Sequence, residues 1–262
     1  MEKRKAFTLI ELLVVISIIA VLMSIMMPAL GKVRKQAKAV TCLTNLKQIG
    51  TSLVMYETDY QNKRIEVSVS DAESGHIYGL LATYLGTDQA KEKSDVWSCP
   101  SASKLRIDGD PAPAQTGQAY YAYKTHTGLN EIGSYGINGW IVYSDFYSSQ
   151  YVDSAKEYKN FTMVTNDVPL FADAIWENGW FRDTDIAPTE EELLTGDEQD
   201  WDNQAQRFTI DRHQMKINLV FGDGHAEAVA LSKLWSLPWH RGFDKQSDVE
   251  VPRESGSTSP RR

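Results

Sequence analysis

The sequence predicts an α+β protein in which a long N-terminal helix, its first half able to span a membrane, packs on a C-terminal head built on an antiparallel β-sheet. Three observations lead there. Residues 12–27 carry no charge and only two hydroxyls; residues 33–60 space apolar side chains by three and four; the remainder breaks into short β-favouring stretches separated by Gly, Pro, Asp and Asn.

The bulk properties narrow the class. A chain of 262 residues, 10% aromatic, can build one sizeable core, with an extended element beside it. A net charge of -8 disfavours nucleic acid as the main partner, because phosphate binding needs a basic footprint. Two cysteines are too few for a disulfide-built scaffold, and their spacing matches no zinc motif. No phosphate-binding loop, dinucleotide turn or nucleophile elbow is present in the sequence.

The apolar segment covers residues 7–29, 23 residues interrupted only by Glu11. As helix it is about 35 Å long, enough to cross a hydrocarbon core of ~30 Å. A secretory signal peptide has a shorter apolar region ending at a small-residue cleavage site; here Pro28-Ala29-Leu30-Gly31 leads into more helical sequence. Glu11 is the unusual residue, since a carboxylate in a membrane helix costs about 2.5 to 3.5 kcal/mol. Such a group needs a partner, and a newly freed amino terminus is one candidate.

Beyond Pro28, the point at which a kink is expected, Val33, Ala37, Val40, Leu43, Leu46, Ile49, Leu53, Tyr56 and Tyr60 form the stripe that packs on the head. One helix of about 80 Å, from residue 7 to residue 60, follows. Gly50 sits in it at some cost in helix propensity. The head is expected over residues 61–245, with strands at 64–69, 118–123, 135–143, 168–172 and 217–221. Gly222-Asp223-Gly224 turns the last of these into 225–229 as a hairpin. Residues 232–237 read as a closing helix or turn, and 246–262 as a disordered tail.

Lys3-Arg4-Lys5-Ala6-Phe7-Thr8-Leu9-Ile10-Glu11 resembles the class III signal of type IV prepilins and type II secretion pseudopilins. The resemblance implies a pilin-like fold and a leader, residues 1–6, cut by a membrane prepilin peptidase between Ala6 and Phe7. It further implies N-methylation of Phe7 and a role for Glu11 in assembling subunits into a filament. Glu11 of an incoming subunit can pair with the Phe7 amine of its neighbour, which satisfies both charges in lipid. The sequence departs from the family in one place, with Ala6 where Gly is usual. Charge counting leaves orientation undecided, because Lys32, Arg34, Lys35 and Lys38 outnumber the leader's Lys3, Arg4 and Lys5. The resemblance places the leader in the cytoplasm and the head outside the bacterial inner membrane.

The head resembles a second group, the prepilin-associated H-x9-DG proteins. His213, nine residues, then Asp223-Gly224 give the signature, and Cys99-Pro100, the motifs at 41–50 and 134–140, and Leu234 to Arg241 are similar as well. The signature residues read as structural, with Asp223 in the turn, Gly224 supplying a positive φ, and His213 capping that turn or a neighbouring strand. His213, Asp223 and His225 are weaker candidates for a divalent metal. Residues 173–202, with eleven carboxylates and one base, read as a solvated loop with a short acidic helix opened by Pro188-Thr189; the alternative is a Ca²⁺ site of the kind major pseudopilins hold. Cys42 and Cys99 are either two buried thiols or a disulfide contributing about 3 to 4 kcal/mol. The expected function is non-enzymatic: a pseudopilin or minor pilin subunit. The rival is a membrane-anchored binding module, for a glycan, a metal or a secreted partner, that never polymerises.

Overall fold

The structure, a computed structural model, describes residues 9–61, 63, 65–66, 77–86, 95–102, 123–124, 132–143, 152–196, 200, 202–247 and 249–252. The expected cleavage site, Ala6 and Phe7, lies outside them, as do most of the strand expected at 118–123 and residues 253–262 of the expected tail. The chain divides into two compact units, Met1–Lys38 and Ala39–Arg262.

Helix α1 is Leu9–Asp59 and runs through Pro28. In the first unit its large apolar side chains, among them Ile16, Leu22, Met27 and Leu30, are exposed. The two hydroxyls of the apolar run are satisfied within the helix, Ser17 Oγ donating to the Val14 carbonyl and Ser24 Oγ to that of Val21, each at 2.8 Å.

The second unit takes over at Ala39. From here α1 buries Cys42, Asn45, Leu46, Ile49, Gly50, Ser52, Leu53, Tyr56 and Glu57. This is the expected spacing on a rotated face. Val33, Val40 and Tyr60, expected in the stripe, are exposed, and the buried face includes polar residues instead. Asn45 is held there because its amide donates to the Ser98 carbonyl at 3.2 Å, and Ser52 because its hydroxyl donates back to Ile49 at 2.7 Å.

A five-stranded sheet forms the centre of this unit, in the order β7-β4-β6-β8-β9. Its strands are β4 (Tyr135–Asn138), β6 (Pro169–Asp173), β7 (Asn178–Gly179), β8 (Lys216–Phe221) and β9 (Ala226–Ala230). All neighbours are antiparallel except β4 and β7, which are parallel. Two separate short pairs accompany it: β1 (Ile65–Glu66) with β5 (Val142–Tyr143), and β2 (Tyr123–Lys124) with β3 (Ile132–Gly133). The β8–β9 hairpin is the one expected, with Gly224 at φ +77°. The strand expected at 135–143 is interrupted at 139–141 by a 3₁₀ turn, because the Asn138 side chain accepts the Trp140 N–H and caps it. Helix α2 (Ile77–Leu85) was not anticipated from the sequence.

The remaining core is aromatic. Phe181 stacks on Trp239 at 4.8 Å and meets Trp235 edge-on at 5.0 Å, and the indole N–H groups of Trp140, Trp235 and Trp239 each reach a backbone carbonyl. Leu231–Ser236 is a 3₁₀ segment that delivers Trp235. The head extends past the expected boundary at residue 245: the Gln246 N–H donates to the Trp235 carbonyl, and Val249 and Val251 pack against the core.

Candidate functional site

Cys42, on α1, is disulfide-bonded to Cys99, in the segment between two 3₁₀ turns at Asp95–Trp97 and Pro100–Ala102. Of the two readings of the cysteines, the bonded one holds. Ser134 positions the head side of this bond, its hydroxyl accepting the Cys99 N–H at 2.5 Å and its own N–H donating to the Trp97 carbonyl.

His213 stands against the disulfide. Its Nε2 is 3.5 Å from Cys99 Sγ and 3.2 Å from Asp173 Oδ2. Asp173, at the end of β6, is fully buried and takes Arg212 Nη1 at 3.2 Å on Oδ1 and the Asn218 N–H at 2.7 Å on Oδ2. Arg212 also donates to the carbonyls of Ser134 and Ala174. Burial would raise the Asp173 pKa, but His213, Arg212 and the Asn218 amide reverse that and hold it below the usual carboxylate range. This centre ties α1, the 99 segment, β4, β6 and β8 together through charge and covalent bond.

The two ends of the H-x9-DG signature do not meet. His213 lies before the first residue of β8 and Asp223 after the last, with roughly 17 Å of strand between. His213 therefore does not cap that turn. It meets strand ends instead, its Nε2 reaching Asp173 at the end of β6 and its N–H donating to the Lys216 carbonyl at the start of β8. His213, Asp223 and His225 do not form one metal set. At the far end the Asp223 carboxylate accepts the His225 N–H at 2.9 Å and contacts its Nδ1 at 2.5 Å, while that ring stacks on Phe221. This is the expected turn chemistry. Lys47 of α1 secures the turn by donating to the Gly224 carbonyl at 2.5 Å.

The acidic stretch is less solvated than expected, since Asp173, Glu177 and Asp185 are buried. The short helix is α3 (Glu192–Thr195), opened by a reciprocal capping box in which Glu192 Oε2 accepts the Thr189 N–H and Thr189 Oγ1 accepts that of Glu192. Asp185 Oδ2 accepts the N–H groups of Arg182 and Ala205 and so pins the loop at 203–207, while burial pushes its pKa up to about 6.

Asp173 and Arg212 carry the centre of the head, and sequence reading missed both. The available signals were slight: an acid closing the apolar stretch 168–172, and a base directly before His213.

At the amino terminus, the described helix opens with Glu11 in its first turn. α1 is long and apolar enough to cross a bilayer. The comparison with known families settles what kind of segment this is. Residues 1–27 match the prokaryotic N-terminal methylation motif. The motif is the class III signal of type IV pilin-like proteins, so the amino terminus is that of a pilin-like precursor. It implies processing by a prepilin peptidase, and with the apolar helix it fits a single-pass membrane anchor. Helix and sheet together give the α+β, pilin-like arrangement. Comparison with curated proteins and with solved structures gave no match.

Proposed function

We propose that the chain is a pseudopilin or minor pilin subunit of a type II secretion or type IV pilus-like assembly. Prepilin peptidase cuts it between Ala6 and Phe7, Phe7 is methylated, and Glu11 directs assembly by pairing with the amine of a neighbouring Phe7. The observation that carries this reading is the methylation motif at residues 1–27 running directly into a helix whose apolar side chains are exposed along its first unit. Such a surface suits lipid before assembly and other helices after it. In this reading the leader is cytoplasmic and the head extracytoplasmic, a placement supported by the Cys42–Cys99 bond, since disulfides persist in oxidising compartments. The head contributes display and contacts, and no reaction. His213 and Asp223-Gly224, each with a structural role, support placing it among the H-x9-DG proteins.

Glu11→Ala tests the reading. In cells expressing the tagged chain, the variant is expected to remain processed and membrane-bound but to be lost from sheared or cross-linked filaments. Normal incorporation of Glu11→Ala would leave the rival, a membrane-anchored module that never polymerises, as the better description.

A further inference from the structure

Cys42, Cys99 and His213 bring two sulfurs and an imidazole nitrogen together, all three ligand atoms within 4.8 Å of one another. We propose that in its dithiol form, the form in which the chain is synthesised, the head binds a zinc ion through Cys42 Sγ, Cys99 Sγ and His213 Nε2. The disulfide and the zinc site are then alternative closures of the same link between α1 and the head. The proposal goes beyond the pilin-like reading and does not depend on it.

The spacing supports it. With Zn–S near 2.3 Å and Zn–N near 2.0–2.1 Å, a tetrahedral zinc holds sulfur and nitrogen about 3.5 to 3.6 Å apart. Cys99 Sγ and His213 Nε2 are separated by 3.5 Å. Asp173 Oδ2 lies 3.2 Å from that nitrogen but outside the set of three ligand atoms. The sulfurs, joined in the disulfide, separate to about 3.8 Å on a shared zinc.

Charge points the same way. Both cysteines and the Asp173 and Arg212 side chains are closed to solvent, so a net charge here is expensive. Two thiols bind Zn²⁺ by releasing two protons to water, and the resulting dithiolate adds no net charge to the Asp173–Arg212 pair. His213 binds through an unprotonated Nε2, and Asp173 stays paired with Arg212 and the Asn218 N–H. Because the centre is closed, the ion enters as the chain folds.

The test refolds the full chain in detergent with a phosphine reductant and zinc chloride, removes free metal, and measures bound zinc by mass spectrometry. Chain oxidised to the disulfide, which folds by the present structure, is the control. Stoichiometric zinc is expected in the reduced chain and none in the oxidised one. Cobalt in place of zinc should give the visible absorption of a tetrahedral thiolate site. His213→Gln should weaken binding by at least about a hundredfold while forming the disulfide normally on oxidation. Substoichiometric zinc in a folded reduced chain, equal zinc in the oxidised chain, or a reduced chain that stays unfolded with zinc present would each overturn the proposal.

Discussion

Cys42, in the middle of α1, and Cys99, 57 residues further along, are covalently joined, with their Cα atoms 4.9 Å apart. The bond fastens the helix to the head at the point where the second compact unit begins to bury it. Cross-linking a loop of this length removes entropy from the unfolded chain and contributes about 3 to 4 kcal/mol. Cys42→Ser with Cys99→Ser, measured by urea denaturation with a chelator present, should lose about that much. A loss below about 1 kcal/mol would mean that α1 is held by packing alone.

Asp173 and Arg212 are a buried pair with no exposed surface on either side chain. Asp173→Asn removes the partner of a buried guanidinium and should cost about 3 to 5 kcal/mol. The pH dependence has a definite sign. A carboxylate held below its ordinary pKa contributes stability that is complete at neutral pH and disappears on acidification through the folded-state value. Wild type should therefore lose stability in strong acid more steeply than Asp173→Asn, as seen in the midpoint of thermal unfolding.

Glu57 works in the opposite direction. It is buried on α1, neither carboxylate oxygen has a hydrogen-bond partner among the described residues, and burial pushes its pKa up to about 7. The folded state thus holds a proton that the unfolded chain releases near pH 4.5, and stability falls as pH rises from about 4.5 to about 7. Glu57→Gln should remove that slope and stabilise the head at pH 8 by on the order of 2 kcal/mol. Asp185, raised to about 6, leaves a smaller slope of the same sign in the variant. Denaturant melts of both proteins at pH 5 and pH 8 separate the contributions.

Gly50 is where α1 comes closest to the sheet. A Cβ there would lie 2.2 Å from Val220 Cγ2 of β8. Gly50→Ala gains about 1 kcal/mol in helix propensity but forces apart a packed contact, for a net loss of about 1 to 2 kcal/mol. Val220→Ala should recover part of it, and a double-mutant cycle would show the coupling.

The sequence carried the long helix, the closing hairpin and the short acidic helix, because each depends on local signals: an uncharged run, Gly222-Asp223-Gly224, and Pro188-Thr189. The buried face of α1 was legible in spacing but not in phase. Asn45, Ser52 and Glu57 stand outside the expected apolar stripe and lie inside, two of them satisfied by hydrogen bonds. The centre at Asp173 was not legible, since it joins residues from positions 42, 99, 134, 173 and 212–213 that only the tertiary fold brings together. The H-x9-DG spacing suggested a shared site, whereas an intervening strand holds its ends apart.

The central claim is that the first residues are a processed pilin-like signal, and the mass of the mature chain tests it most directly. Chain recovered from bacterial membranes should lack residues 1–6 and begin at Phe7 carrying one added methyl group, in cells that contain prepilin peptidase and not in cells that lack it. A mature chain that still begins at Met1, or one cut elsewhere whether or not the peptidase is present, would contradict the account.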